Sequence, residues 1–242
     1  QKVEIIIFIY TYATYTPRIN KNNNLNLLLG YNVEWSDYTS TNAKRMGFTS
    51  SKPSFSLMDG EATLSSGGNQ WAYLGTFVRA NYSFKGRYLA EFSGRYDGSS
   101  KFPSGQRWGF FPSGSIGWRL SDEPWMQWSE RYLNNLKFRF SAGSMGNGNV
   151  TPYSYASTMD INKANDFILD GALASYTGVA TAVPLSLTWE KSTTYDTGVD
   201  MDMLNNRLSA TFDYYVRKTS DMYTSGIQLP GVYGGSVPKG NN

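Results

Sequence analysis

The sequence contains no cysteine and no histidine. Without cysteine there is neither a disulfide framework nor a thiolate metal site. Without histidine the commonest catalytic base and the commonest zinc ligand are missing, so a Ser-His-Asp triad is excluded. An excess of one charge is lacking too: 22 basic residues stand against 19 acidic ones, for a formal net charge of +3. No basic tract stands out, which argues against nucleic acid as a partner. No stretch approaches the roughly 18 apolar residues of a membrane helix. The most apolar run, Ile5-Ile6-Ile7-Phe8-Ile9, is short and follows Lys2 and Glu4, so residues 1–15 read as a strand rather than a signal peptide.

What is present is aromatic residues, at 16%, glycine, with 24 copies, and a strict two-residue rhythm. Between residues 72 and 84 the even places are Ala72, Leu74, Thr76, Val78, Ala80, Tyr82 and Phe84, while the odd places include Arg79, Asn81 and Ser83. This is the pattern of a strand with one apolar face. Lys85-Gly86 makes a two-residue hairpin turn. Tyr88, Ala90, Phe92, Gly94 and Tyr96 then alternate with Arg87, Glu91, Ser93, Arg95 and Asp97. After a polar loop, Trp108, Phe110, Pro112, Gly114, Ile116, Trp118 and Leu120 repeat the pattern opposite Arg107, Ser113, Ser115 and Arg119.

The same rhythm predicts about eight strands in all. One spans roughly Val3 to Tyr15, where the isoleucine run leaves the faces undefined, and one spans Leu25 to Trp35. Later strands centre on Leu136 to Ala142, Tyr195 to Met203 and Leu208 to Val216. A short amphipathic helix is expected within residues 121–135, with Ser121 or Asp122 as cap and Pro124 near its start. Residues 36–70 and 146–185 and everything from Lys218 onward read as loops.

Connection lengths alternate. Residues 16–24, 85–86, 121–135 and 204–206 fall at one end of the sheet. The longer 36–70, 98–106, 146–185 and the stretch from 218 fall at the other. Short turns at one end and long loops at the other, with one charge-free face, are the pattern of an outer-membrane β-barrel. A basic charge on the lipid face costs roughly 2–4 kcal/mol at the midplane. Aromatic girdles fit as well, with Trp35, Tyr96 and Trp108 toward the long loops and Tyr82, Phe84, Tyr88 and Trp118 toward the short turns. A soluble antiparallel sheet with one buried face produces similar alternation, but strands of this length exceed the usual five or six residues of soluble domains.

Several spaced motifs carry a resemblance to a known family. They are Arg87-Tyr88-Leu89, Asp97-Gly98-Ser99-Ser100-Lys101-Phe102, Arg107-Trp108-Gly109-Phe110-Phe111-Pro112-Ser113 and Gly117-Trp118-Arg119-Leu120-Ser121-Asp122-Glu123. Leu133-Asn134-Asn135-Leu136-Lys137, Leu187-Thr188-Trp189-Glu190, Gly198-Val199-Asp200, Asn206-Arg207-Leu208 and Asp213-Tyr214-Tyr215 follow in the same order. Over about residues 20 to 235 the chain resembles the barrel of the SusC/RagA-type TonB-dependent outer-membrane transporters.

The resemblance implies an all-β, antiparallel transmembrane barrel of 22 strands, of which this chain is an interior part of the C-terminal half. The plug domain and the TonB-contacting segment lie outside it. It implies active import of glycans, or in some members peptides, with a SusD-like surface lipoprotein as lid and the TonB complex as drive. No covalent chemistry is implied, so neither an enzyme nor a cofactor is expected. A non-transporting surface β-protein, such as an adhesin or a carbohydrate-binding module, is the alternative, and an outer-membrane hydrolase a distant third.

Candidate lumen contacts to plug or cargo are Arg79, Glu91, Arg95, Asp97, Arg119, Arg139, Asp196, Asp200 and Asp213, for which a solvated wall or cross-strand ion-pair ladder is the plainer reading. Candidate loop contacts to cargo or partner are the aromatics Tyr153, Tyr155, Phe167, Tyr176, Tyr223 and Tyr233; the plainer reading is that they pack the loops upon themselves. Asp160, Asn162, Asn165, Asp166 and Asp170 offer oxygen ligands for calcium but lack the EF-hand glycine and terminal glutamate, so no metal is assigned. The segment from Asp97 to Phe102 reads mainly as a structural turn packing on the barrel rim.

Overall fold

Each predicted strand pairs antiparallel with the next in the computed structural model, which describes residues 1–47, 60–129, 131–157, 161–169, 171–177, 183–184, 186–226, 230, 232 and 239–241. The principal strands are β1 (Lys2–Tyr15), β3 (Asn23–Arg45), β4 (Ala62–Phe84), β5 (Tyr88–Ser99), β6 (Trp108–Arg119), β7 (Leu133–Asn147), β10 (Glu190–Met203) and β11 (Leu208–Ser220). They lie side by side in that order, with the short β2 (Arg18–Asn20) added on β3. Two small hairpins stand apart, β8 (Ile161–Leu169) with β9 (Ala172–Thr177) and β12 (Tyr223–Ser225) with β13 (Lys239–Asn241). Among the described residues β1 and β11 are the two edges of an open sheet.

Register fixes the two faces. One cross-strand row runs Leu25, Tyr82, Ala90, Ile116, Phe140, Thr197, Tyr214, and its neighbour runs Asn26, Asn81, Glu91, Ser115, Ser141, Asp196, Tyr215. Because side chains alternate across a strand, these rows belong to opposite faces. The first face is apolar and uncovered: Leu29 is 65% exposed, Ile116 61% and Phe212 65%. In a soluble sandwich a second sheet packs on such a face; among the described residues none does.

Several expectations change: the stretches 146–185 and 218 onward, read as loops, hold the β8–β9 and β12–β13 hairpins, whose strands are too short or too irregular to show a two-residue period in the sequence. Residues 36–70 are not one long loop, because β3 and β4 continue as a ladder from Ser36↔Trp71 to Arg45↔Ala62. Twenty-three residues per strand extend about 75 Å at strand rise, well beyond a bilayer core of about 30 Å. Past the apolar band the ladder needs no hydrophobic face, so threonine and serine on both sides suffice. In place of the helix expected within 121–135, the described residues form two 3₁₀ segments, Leu120–Asp122 and Pro124–Ser129. Six residues are too few to repay α-helix nucleation, and 3₁₀ turns are the usual form of so short a piece. The chain does reverse at Lys85-Gly86, with φ of 52° and 70° and the Arg87 amide donating to the Phe84 carbonyl at 3.0 Å, but the register pairs Phe84 with Tyr88, so three residues rather than the expected two connect β4 and β5.

Candidate functional site on the polar face

Toward the long-loop end the polar face carries a small core. Phe102, Phe111, Val150, Leu187 and Trp189 are buried together, with Tyr73, Tyr155 and Tyr223 packed against them. Hydrogen bonds tie these segments across the sequence. The Trp189 indole N–H donates to the Arg107 carbonyl at 2.9 Å, the Leu187 amide to the Gln106 side chain at 2.8 Å, and the Thr188 amide to the Asn241 side chain at 2.8 Å. Segments from four parts of the chain thus form one collar over the ends of β5, β6 and β7. The segment 97–102 is structural as read, with Phe102 fully buried and Asp97 and Ser99 nearly so. Within it the Lys101 ammonium sits 4.3 Å from the centre of the Trp71 ring. Burial pushes that ammonium below the usual lysine range, with the Glu34 carboxylate opposing the shift.

Beneath the collar lies a paved wall. The Arg95 guanidinium holds Asp97 through Nη2–Oδ1 at 2.9 Å and Nε–Oδ2 at 3.2 Å, and also donates to Asn32 Oδ1 at 3.1 Å and the Tyr73 hydroxyl at 3.4 Å. Arg95 also lies 5.5 Å over the Phe77 ring, and Tyr10 stacks on the same ring at 5.3 Å. Phe77 spreads across Gly30, where any Cβ would collide with its ring and with the Thr11 carbonyl. From Tyr10 the aromatic surface continues along β1 to Phe8 at 6.2 Å and Tyr12 at 5.7 Å.

Nearer the short turns, Arg139 gathers three carboxylates, Asp213 at 2.6 Å, Asp200 at 3.1 Å and Asp196 at 3.7 Å. The guanidinium can lie flat because its register partner is Gly198, where a Cβ would stand 2.8 Å from it. A hollow of about 450 Å³ opens beside it, lined in part by Asn24, Asn26, Asn81, Glu91 and Lys137. At the turn itself, Glu123 accepts from Arg87 Nη1 at 2.7 Å, the Tyr88 hydroxyl at 2.6 Å and the Trp118 indole at 3.1 Å. Those hydrogen bonds, led by that of Tyr88, hold its carboxyl below the usual glutamate range.

The face candidates fall into pairs and clusters, Arg79 with Glu91 at 3.7 Å, Arg95 with Asp97, and Arg139 with Asp196, Asp200 and Asp213. The Arg79 and Arg139 groups are the cross-strand ion pairs of the plainer reading, whereas Arg95 and Asp97 pair within β5. Arg119 joins none of these ion pairs; it ends β6 opposite Lys137. Of the loop aromatics, Tyr155 and Tyr223 pack on the collar, and Tyr153 is half exposed with its hydroxyl accepting from the Gln70 amide at 3.2 Å. Phe167 and Tyr176 lie in the β8–β9 hairpin, described in its backbone alone, as do Asn162, Asn165 and Asp166. Tyr233, Asp160 and Asp170 lie outside the described residues. The residues that pattern reading missed are Phe8, Tyr10, Asn32, Tyr73 and Phe77. Phe77 breaks the polar rhythm of β4, and Gly30 opposite it was the available signal.

An open, one-layer antiparallel sheet with a bare apolar face, a charged inner face and unequal ends is a segment of β-barrel wall. The chain belongs to the family described as TonB dependent receptor-like, beta-barrel, whose profile matches residues 7–241. It is similar to TonB-dependent receptor P3 of Formosa agariphila, 32% identical over 216 residues, which are 87% of this chain and 21% of that one. TonB-dependent receptor SusC of Bacteroides thetaiotaomicron is 36% identical over 155 residues, 64% of this chain and 15% of that protein. Among solved structures, that of the RagAB peptide transporter superposes with a TM-score of 0.87 at 27% identity, over 99% of this chain and 26% of its own. The chain therefore spans between 15% and 26% of the length of these relatives.

Proposed function

We propose that this chain is a stretch of barrel wall in an outer-membrane TonB-dependent importer of large nutrients, glycans or peptides, acting with a SusD-like surface lipoprotein. The single observation that carries the reading is the bare apolar face, which is at home only in lipid, on a chain of this family. In this reading the polar face is the lumen wall, and a plug domain and TonB-contacting segment belong to the rest of the protein. The Arg95–Phe77–Tyr10 paving and the Arg139 cluster are its contact surfaces for plug or cargo. Every charged group there is spent on a neighbour or faces water, which suits passage and weak contact rather than covalent chemistry. The RagAB relative is a peptide transporter, which makes peptides one cargo class to test beside glycans.

The test is growth of the source organism with the complete gene deleted, on panels of polysaccharides and of peptides as sole nutrient. Loss of growth on at least one, restored by the gene and absent again without TonB, is the expected result. Unchanged growth on every nutrient, or restoration that ignores TonB, overturns the reading.

A further inference from the structure

The apolar face is not uniformly filled. Register sets Ala90 between Tyr82 and Ile116, and in the next row sets Gly114 between Phe92 and Ala142. Small residues between large ones leave a trough of about 680 Å³, walled by Tyr82, Tyr88, Ile116, Trp118, Phe138 and Phe140. That lies within the roughly 300–1,000 Å³ of ordinary ligand sites. The trough continues toward Ala80 and Gly114, so it runs from the short-turn end toward the middle of the sheet.

At its short-turn end the wall residues Tyr88 and Trp118 donate to the Glu123 carboxylate, which Arg87 neutralises, and one further cation stands nearby. Lys85, in the tight turn, holds its ammonium 5.3 Å over the Phe84 ring, and Phe84 stacks on Tyr88 of the trough wall at 6.2 Å. The other cation of that turn, Arg87, is spent on Glu123. Among the described residues no carboxylate pairs with Lys85.

We propose that this trough is a phospholipid site, with one acyl chain lying over Ala90 and the lipid phosphate against Lys85. The proposal rests on the membrane reading above and on no particular cargo. An apolar slot that ends at an unspent cation, at the level where an aromatic girdle marks the interface, matches a molecule with a hydrocarbon tail and an anionic head. Hydrocarbon in the slot covers apolar side chains, and the ammonium meets phosphate outside the hydrocarbon, as lysines near membrane interfaces do.

The test uses the complete protein in detergent, with dioleoyl phosphatidylethanolamine as probe and native mass spectrometry as readout. The wild type is expected to retain one phospholipid through detergent washing. Ala90→Trp fills the slot and removes that lipid, whereas Ala90→Ser leaves it. Lys85→Asn keeps a residue tolerant of the left-handed backbone and lowers retention severalfold. Dioleoylglycerol, which lacks the phosphate, is held less well by the wild type and equally by wild type and Lys85→Asn. Equal phospholipid retention by wild type, Ala90→Trp and Lys85→Asn overturns the site. A doubled mass without lipid overturns it too, because a second copy of the chain then covers the face. Heat-modifiable migration checks folding. Should Ala90→Trp fail to fold, Lys85→Asn, on an exposed turn, decides. A wild type without heat-modifiable migration removes the membrane reading, and the site with it.

Discussion

Glu123 shows how a single side chain at the short-turn end joins motif to architecture. Its carboxylate takes hydrogen bonds from Arg87, Tyr88 and Trp118, and so pins a girdle pair to the turn below it. Because those bonds depress its pKa in the folded state, the stabilisation is complete above the ordinary glutamate pKa of about 4.3. It is lost as pH falls through the lower folded value. Thermal unfolding of the complete protein in detergent is therefore expected to show a melting temperature that drops below that pH. Glu123→Gln should be less stable at neutrality and lose less on acidification; identical pH profiles would contradict the assignment.

At Gly30 the limit is space. Alanine there meets the Phe77 ring and the β1 backbone, so Gly30→Ala is expected to cost about 1–3 kcal/mol, as overpacking does, read as an earlier denaturant midpoint. Alternation put Arg95, Arg139 and their carboxylates on one face, but which charge meets which depends on register, and register is invisible until the strands are paired. Phe77 and Tyr10 escaped because the inner face was expected to be polar, and because the isoleucine run of β1 hides its parity.

Among elements, seven of the eight principal strands were legible because each carries its own period, and β1 was legible as an apolar run. Their ends were not. β3 and β4 run on past the apolar band, where the pattern stops but the ladder does not, and the segment at Pro124–Ser129 has helix-start chemistry without helix length. The collar was the least legible element, since it joins residues near 102, 150, 187 and 241 that no local pattern connects. Trp189 is its centre, in contact with Tyr73, Phe102 and Phe111. Trp189→Ala is expected to cost about 3–5 kcal/mol by the general penalty for aromatic truncation. Limited proteolysis should then cut residues 98–106 and 184–189 much faster while the strands stay protected. Unchanged loop protection would mean that the collar is not one cooperative unit.

At the scale of the molecule, the sheet has among the described residues two bare edges and an uncovered apolar face, so in the proposed reading its stability belongs to the complete barrel and to lipid. An exposed edge as long as the 14 residues of β1 is an aggregation hazard in water, and residues 1–242 expressed alone in buffer are expected to aggregate rather than fold. The most direct test is the migration of the complete native protein, extracted from its membrane, on a denaturing gel with and without heating. A polypeptide several times the 27.1 kDa of this chain, a migration shift on heating, and a co-purifying lipoprotein are the expected result. A water-soluble band near 27.1 kDa that needs no detergent and does not shift would contradict it.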